Sequence, residues 1–276
     1  MDFLDRTRPI LEESGLAILR QKEVALAGLG GVGGGVFLAL VRCGVTRFRL
    51  AEKGIFDPPD MNRQAAAFGT TMDRPKLDVY MELARSINPG LKMVPYPDGI
   101  NAGNLNEFLD GVHAYVAVID AEKGEEVKRM TPAMQERHHI PVFTCGAVGF
   151  GAIMVNFAPD GMKGDEFWTI ARKGDSGGGL LPSVMQRDFC KPVMERVEQG
   201  LSADVVPTTA IGGLAANILL AGEVLAYFLA DTGLMERAPV FAPEYVVLDI
   251  MTQRLTVADI NRPGQGIARS TGRRNI

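Results

Sequence analysis

Short apolar runs that stop at glycine or at a charge alternate with helical periodicity through the first half of the chain. Residues 11–22 carry Leu11, Leu16 and Leu19 on one helical face and predict a short helix. Residues 23–27 (EVALA) are apolar and end at Gly28, as a buried parallel strand does. A glycine-rich turn follows, and residues 36–41 predict an apolar helix face ending near Cys43-Gly44. Residues 47–52 (RFRLAE) predict a second strand, and residues 54–69, rich in Pro and Asp, a loop. Residues 73–87 predict a helix with Asp73 as N-cap and Pro75 in its first turn, ended by Asn88-Pro89-Gly90. Residues 93–96, 114–119 and 140–145 predict further strands, with helices at 104–110 and 127–138 between them. Strand and helix so alternated call for an α/β fold, a parallel sheet with helices on both faces.

The second half is less regular. Residues 152–157 predict a strand, 158–206 a long irregular connection with a surface loop at 173–179, and 245–250 a late strand. Residues 210–230 form an apolar helix long enough to span a bilayer. Gly212, Gly213, Gly222 and the central Glu223 favour a buried core or interface helix instead. No repeat or linker divides the chain. Residues 1–262 read as one domain with a nucleotide-binding half at about 1–150, and 263–276 as a disordered tail.

Composition narrows the function classes. The 276 residues carry a formal charge of −4, which offers no electrostatic footprint for nucleic acid or an anionic membrane. Hydrophobic content of 46% and charged content of 22% argue against disorder. Cys43, Cys145 and Cys190 lie far apart without a C-x-x-C pair, which argues against a cysteine-rich zinc site or a disulfide framework. So sparse a count fits a reducing cytosol, and the N-terminus lacks the apolar core of a signal peptide. A cytoplasmic protein is therefore expected.

Gly28-x-Gly30-Gly31-x-Gly33 lies between the first strand and the first apolar helix. Glycines let a backbone approach a phosphate, and a helix N-terminus offers free N–H groups and the positive end of its dipole. Glu52, at the end of the next strand, can bond ribose hydroxyls. These features suit NAD and ATP alike, and a tight turn without a ligand is the bland alternative. Asp60-Met61-Asn62-Arg63-Gln64, then Lys76, add two cations near the turn. A dinucleotide has no need of them, whereas a triphosphate and a departing pyrophosphate do. Asp120 follows a strand where open α/β sheets bind ligands, and a hard carboxylate there suits Mg²⁺.

Between Glu52 and Ile87-Asn88-Pro89 the chain resembles the adenylating domain of ubiquitin-activating enzymes and their bacterial ThiF- and MoeB-type relatives. Arg8-Pro9-Ile10 is similar to the family's N-terminal Arg-Gln-Ile segment, and residues 207–228 to its long hydrophobic helix. The resemblance implies a Rossmann-like fold and an ATP- and Mg²⁺-dependent adenylyltransferase. Gly28, Gly30, Gly31, Gly33, Glu52, Asp60, Arg63, Gln64 and Lys76 would hold the nucleotide, and Asp120 the metal. The implied acceptor is the C-terminal carboxylate of a small ubiquitin-like sulfur carrier or of a peptide, with a small acid also open. The resemblance further implies a homodimer in which Arg8 reaches the partner's ATP. Three positions depart from the family pattern: Gly54 and Ala121, and Asp60 where Asn is usual. Cys190 lies where some relatives keep a thioester or persulfide cysteine, although an inert thiol is the simpler reading. An NAD-dependent oxidoreductase and a catalytically degenerate nucleotide binder remain as alternatives.

Overall fold

The structure is a computed structural model that describes residues 2–119, 124–175, 179–201 and 205–262. Asp120, Ala121 and the tail 263–276 lie outside the described residues, as does part of the 173–179 loop. The first half runs α1 (Arg8–Gln21), β1 (Glu23–Ala27), α2 (Gly33–Arg42), β2 (Arg47–Ala51), α3 (Lys76–Ile87), β3 (Lys92–Tyr96), α4 (Leu105–Leu109) and β4 (Ala114–Ala117). It continues with α5 (Glu125–His138), β5 (Val142–Val148) and β6 (Gly151–Phe157). Then come α6 (Gly164–Ala171), α7 (Ser183–Gln186), α8 (Lys191–Gln199), α9 (Ala210–Phe228), β7 (Glu244–Asp249) and β8 (Arg254–Asp259).

One eight-stranded sheet has the order β3-β2-β1-β4-β5-β6-β7-β8. Its first five strands are parallel, and β6, β7 and β8 are antiparallel additions. The mostly parallel, Rossmann-like α/β architecture matches the expectation. Strand pleating sends Val24 and Leu26 of β1 into a core with residues of α1, α2, α3 and α9. Ala25 and Ala27 face the opposite core, with residues of α4, α5, α6, α7 and α8. Helices on both faces explain why β1 reads as a continuous apolar run. Pro95 lies in β3 at the sheet's edge, where a missing N–H costs least.

The structure corrects two expectations and adds a strand that the sequence did not mark. Asp73 does not cap α3, because the residue before a proline is driven from the α region and Arg74 precedes Pro75. Asp73 instead sits at φ 63°. There its N–H donates to Phe56 O at 3.0 Å, while the Phe56 N–H donates to Arg74 O at 3.0 Å. Residues 158–206 are not irregular throughout, since α6, α7 and α8 cover the second core. Finally, β8 pairs with β7 through a hairpin without a glycine or proline signal.

The apolar helix α9 lies against β5, β6 and α2. Thr209 caps it by accepting from the Gly212 N–H at 3.2 Å. Glu223 is buried and has partners. It accepts the Val240 N–H at 2.7 Å and pairs with Arg237, which ties the 237–240 segment to the helix. Ile211, Leu214 and Ile218 remain exposed along one stripe of α9.

Candidate functional site

The glycine turn begins at the C-terminal end of β1, in the middle of the parallel strands. Gly28 sits at φ +96°, and an added Cβ would lie 2.6 Å from Val118 O. Only glycine meets both constraints. At Gly33 an added Cβ would fall 1.8 Å from Gly28 O, so the first turn of α2 is pressed directly onto the strand end. Gly30 differs. The nearest atom to an added Cβ is Gln64 Nε2 at 3.9 Å, so steric need does not explain this glycine. Within the first turn of α2 the Gly34 N–H donates to Gly30 O at 3.1 Å, and helix geometry leaves the Gly33 N–H without an intrahelical acceptor.

Glu52 follows β2 and closes the turn from the neighbouring strand. Its Oε2 accepts the Leu29 N–H at 2.7 Å, and Oε1 accepts the Gly54 N–H at 2.7 Å. The carboxylate is thereby fixed, with acceptor capacity remaining on both oxygens. Arg63 crosses the turn from the other side. An added Cβ at Gly31 would meet its Cγ at 3.0 Å and its Nε at 3.2 Å. Arg63 Nη1 donates to Asn62 Oδ1 at 2.8 Å and to Pro59 O at 3.1 Å, which holds the guanidinium against the turn.

Lys76 opens α3, and its ammonium lies 2.8 Å from Asp60 Oδ2 and 5.6 Å from the centre of the Phe56 ring. The Gln64 amide also donates to Asp60. Burial pushes the Asp60 carboxyl up. The Lys76 hydrogen bond and charge, with the Asp57 N–H, outweigh burial and hold it below the usual carboxylate range. Of the expected residues, Gly28, Gly30, Gly31, Gly33, Glu52, Arg63 and Gln64 lie at one turn, and Asp60 and Lys76 adjoin it through Gln64 and Glu52. Arg8 is not among them. It pairs on the outside of α1 with Asp2 at 2.7 Å and with Glu13. Asp120 lies outside the described residues, and among those residues no group of three or more His, Cys, Asp or Glu side chains could hold a metal.

Two supports were not anticipated. Asn217 of α9, oriented as its hydrogen bonding requires, donates to Val32 O at 2.7 Å and to Gly31 O at 3.2 Å. A lone amide in a helix apolar but for Glu223 is the signal that could have revealed it. Tyr80 of α3 abuts Gly34, where an added Cβ would lie 2.0 Å from its hydroxyl. Burial raises the pKa of that hydroxyl far above its ordinary value. Cys190 forms the start of α8, where its N–H donates to Asp249 Oδ2 at 2.5 Å.

A model of the ThiF family matches residues 4–265. The chain belongs to the ThiF family. Among the relatives of this ThiF-family chain is the tRNA threonylcarbamoyladenosine dehydratase of Haemophilus influenzae. It is 33% identical over 134 residues, which cover 49% of this chain and 51% of the relative. The sulfur carrier protein ThiS adenylyltransferase of Escherichia coli is 26% identical over 167 residues, covering 59% of this chain and 65% of the relative. The chain thus spans about half the length of the dehydratase it matches. Escherichia coli MccB solved with AMPCPP and MccA shares the fold at a TM-score of 0.67 and 14% identity, covering 97% of this chain and 74% of MccB.

Proposed function

We propose that the protein is an ATP- and Mg²⁺-dependent adenylyltransferase that activates a carboxylate as an acyl adenylate. The observation that carries this reading is Arg63 laid against Gly31 of a glycine turn whose strand neighbour supplies Glu52, with the Lys76 stem beside Glu52 at Gly54. The acceptor carboxylate oxygen attacks the α-phosphorus. The new acyl–phosphate bond forms as the bond to the β-phosphate oxygen breaks, and pyrophosphate leaves. Glu52 bonds the ribose hydroxyls, while the α2 N–H groups receive phosphate oxygens. Arg63 and Lys76 neutralise the charge that moves to pyrophosphate, so the protein works by positioning and electrostatics. Mg²⁺, held by Asp120 together with phosphate oxygens, would neutralise further charge. Family membership favours this reading over an NAD-dependent oxidoreductase.

The acceptor is read as the C-terminal carboxylate of a small ubiquitin-like protein or peptide, or a small acid. The ThiS adenylyltransferase, by its name, acts on a carrier protein, and MccB was solved with MccA. The dehydratases named for tRNA threonylcarbamoyladenosine favour a second acceptor, one carried on tRNA. The net charge of −4 weighs against it. Exchange of labelled pyrophosphate into ATP, run with carrier protein, peptide, small acid and modified tRNA, tests the reading. Exchange dependent on one acceptor is expected, and none with any of them sinks the proposal.

A further inference from the structure

The cation that the nucleotide site needs is already taken. Lys76 and Asp60 bury opposite charges against each other, their side chains 14% and 7% exposed. Asp60 accepts from Lys76 at 2.8 Å, from the Gln64 amide, and from the Asp57 N–H at 3.2 Å. These donors arrive from α3 and from both sides of the Pro58–Asn62 turn. The Lys76 stem is confined as well. It passes Gly54, where an added Cβ would meet Lys76 Cδ at 3.6 Å and Glu52 Oε1 at 3.0 Å. A second carboxylate thus flanks the same stem.

A polyphosphate arriving at the turn meets Arg63, the α2 N–H groups and two carboxylates. It gains the full Lys76 charge only by drawing the ammonium away from Asp60. That exchange leaves a buried carboxylate without its cation, which is costly. Resting on the ATP reading, we propose that Asp60 is a built-in brake on nucleotide binding. It competes with phosphate for Lys76 and keeps the site weak for polyphosphates until the pair opens. A positioning role makes the opposite demand. If Asp60 merely aimed Lys76 at the phosphates, removing its charge would weaken binding.

Calorimetric titration of ATP and AMP into the full chain separates the two. Asp60→Asn keeps the shape and the contact with Gln64 while removing the charge. It is expected to bind ATP at least tenfold tighter than the unaltered protein, since tenfold is the scale of a unit charge about 12 Å away at an effective dielectric of about 20 and a closer one acts more strongly. The gain for AMP, with fewer phosphate charges, is expected to be smaller. In a Lys76→Met background the same substitution is expected to gain less, because the competed cation is gone. ATP binding that is unchanged or weaker in Asp60→Asn overturns the brake while leaving the nucleotide site intact. No ATP binding by either protein overturns the ATP reading itself. Thermal unfolding checks that each variant is folded. Asp60→Ser is the second neutral variant if Asp60→Asn does not fold. Failure of both to fold makes the carboxylate a structural requirement and overturns the proposal.

Discussion

Lys76 is the first residue of α3, and its charge is spent within the chain on Asp60. Removing one partner of such a pair leaves the other buried and uncompensated. Lys76→Met is therefore expected to destabilise the fold by about 2 kcal/mol, less than a fully dry pair because Lys76 keeps some contact with water. Urea unfolding at neutral pH measures it. The pair also makes stability depend on acid. The Asp60 carboxyl is held below its ordinary range, so the folded state binds its proton less readily than the unfolded chain. Its contribution is fully present above the unfolded carboxylate value, about pH 4, and is lost as pH falls through the lower folded value. Unfolding curves taken at neutral pH and near pH 3 should show a smaller acid loss in Asp60→Asn than in the unaltered protein. A similar loss in both would place the acid sensitivity on other carboxylates. The identities of Arg63, Gln64 and Lys76 were legible from their spacing. That Lys76 points at Asp60 was not, because ion pairing is decided by where the Pro58–Asn62 turn sits against α3.

The glycine turn is the element on which the site depends, and its glycines are unequal. Gly33→Ala would force a Cβ to 1.8 Å from Gly28 O and push α2 off β1. A loss of more than about 4 kcal/mol is expected, enough to abolish soluble folded protein in many domains of marginal stability. Gly30→Ala meets nothing closer than 3.9 Å, so an unchanged melting temperature is expected together with weakened ATP binding. Thermal unfolding with and without ATP reads both effects, and a Gly30→Ala protein that binds ATP normally would show that phosphate does not approach this residue. The strand–glycine–helix order was visible in the sequence because period and composition are local. The Asn217 bridge from α9 to Gly31 and Val32 was not, since it joins residues far apart in the chain through helix packing.

At the scale of the whole molecule, α9 packs on the sheet yet leaves Leu214 56% and Ile218 70% exposed, an apolar stripe on which we place the proposed homodimer contact. The reading of Arg8 as a residue acting across a dimer belongs here. Within one chain Arg8 is held by Asp2 and Glu13, so reaching a partner's nucleotide requires those pairs to open. Arg8→Ala and Arg63→Ala are each expected to lose pyrophosphate exchange. Refolded as a mixture, they are expected to recover part of it, because each mixed dimer regains one site with both arginines. Mixed dimers confirmed by mass but inactive would rule out the shared site. On that proposal Ile218→Glu shifts sedimentation from dimer to monomer, and an unchanged mass would place any dimer contact elsewhere.

Local chemistry carried the sequence a long way. The apolar runs of β1 and β4, the glycines at 28, 30, 31 and 33, and the cations at 63 and 76 together predicted a parallel sheet with one nucleotide-directed turn. Each of these signals is written within a few residues, by period, by backbone freedom or by charge. The hairpin strand β8 depended on packing, since no turn signal marks it, whereas α6 and α8 do carry helical spacing in Phe167 with Ala171 and Met194 with Val197, a signal whose meaning became plain only with the second core they cover. Tertiary structure alone decided which partner each charge takes. Glu52 turns to the Leu29 and Gly54 amides, Glu223 to Val240 and Arg237, and Asp60 to Lys76. A buried charge is satisfied by whatever donor the fold brings within hydrogen-bond reach, and that proximity is a property of the assembled sheet and helices.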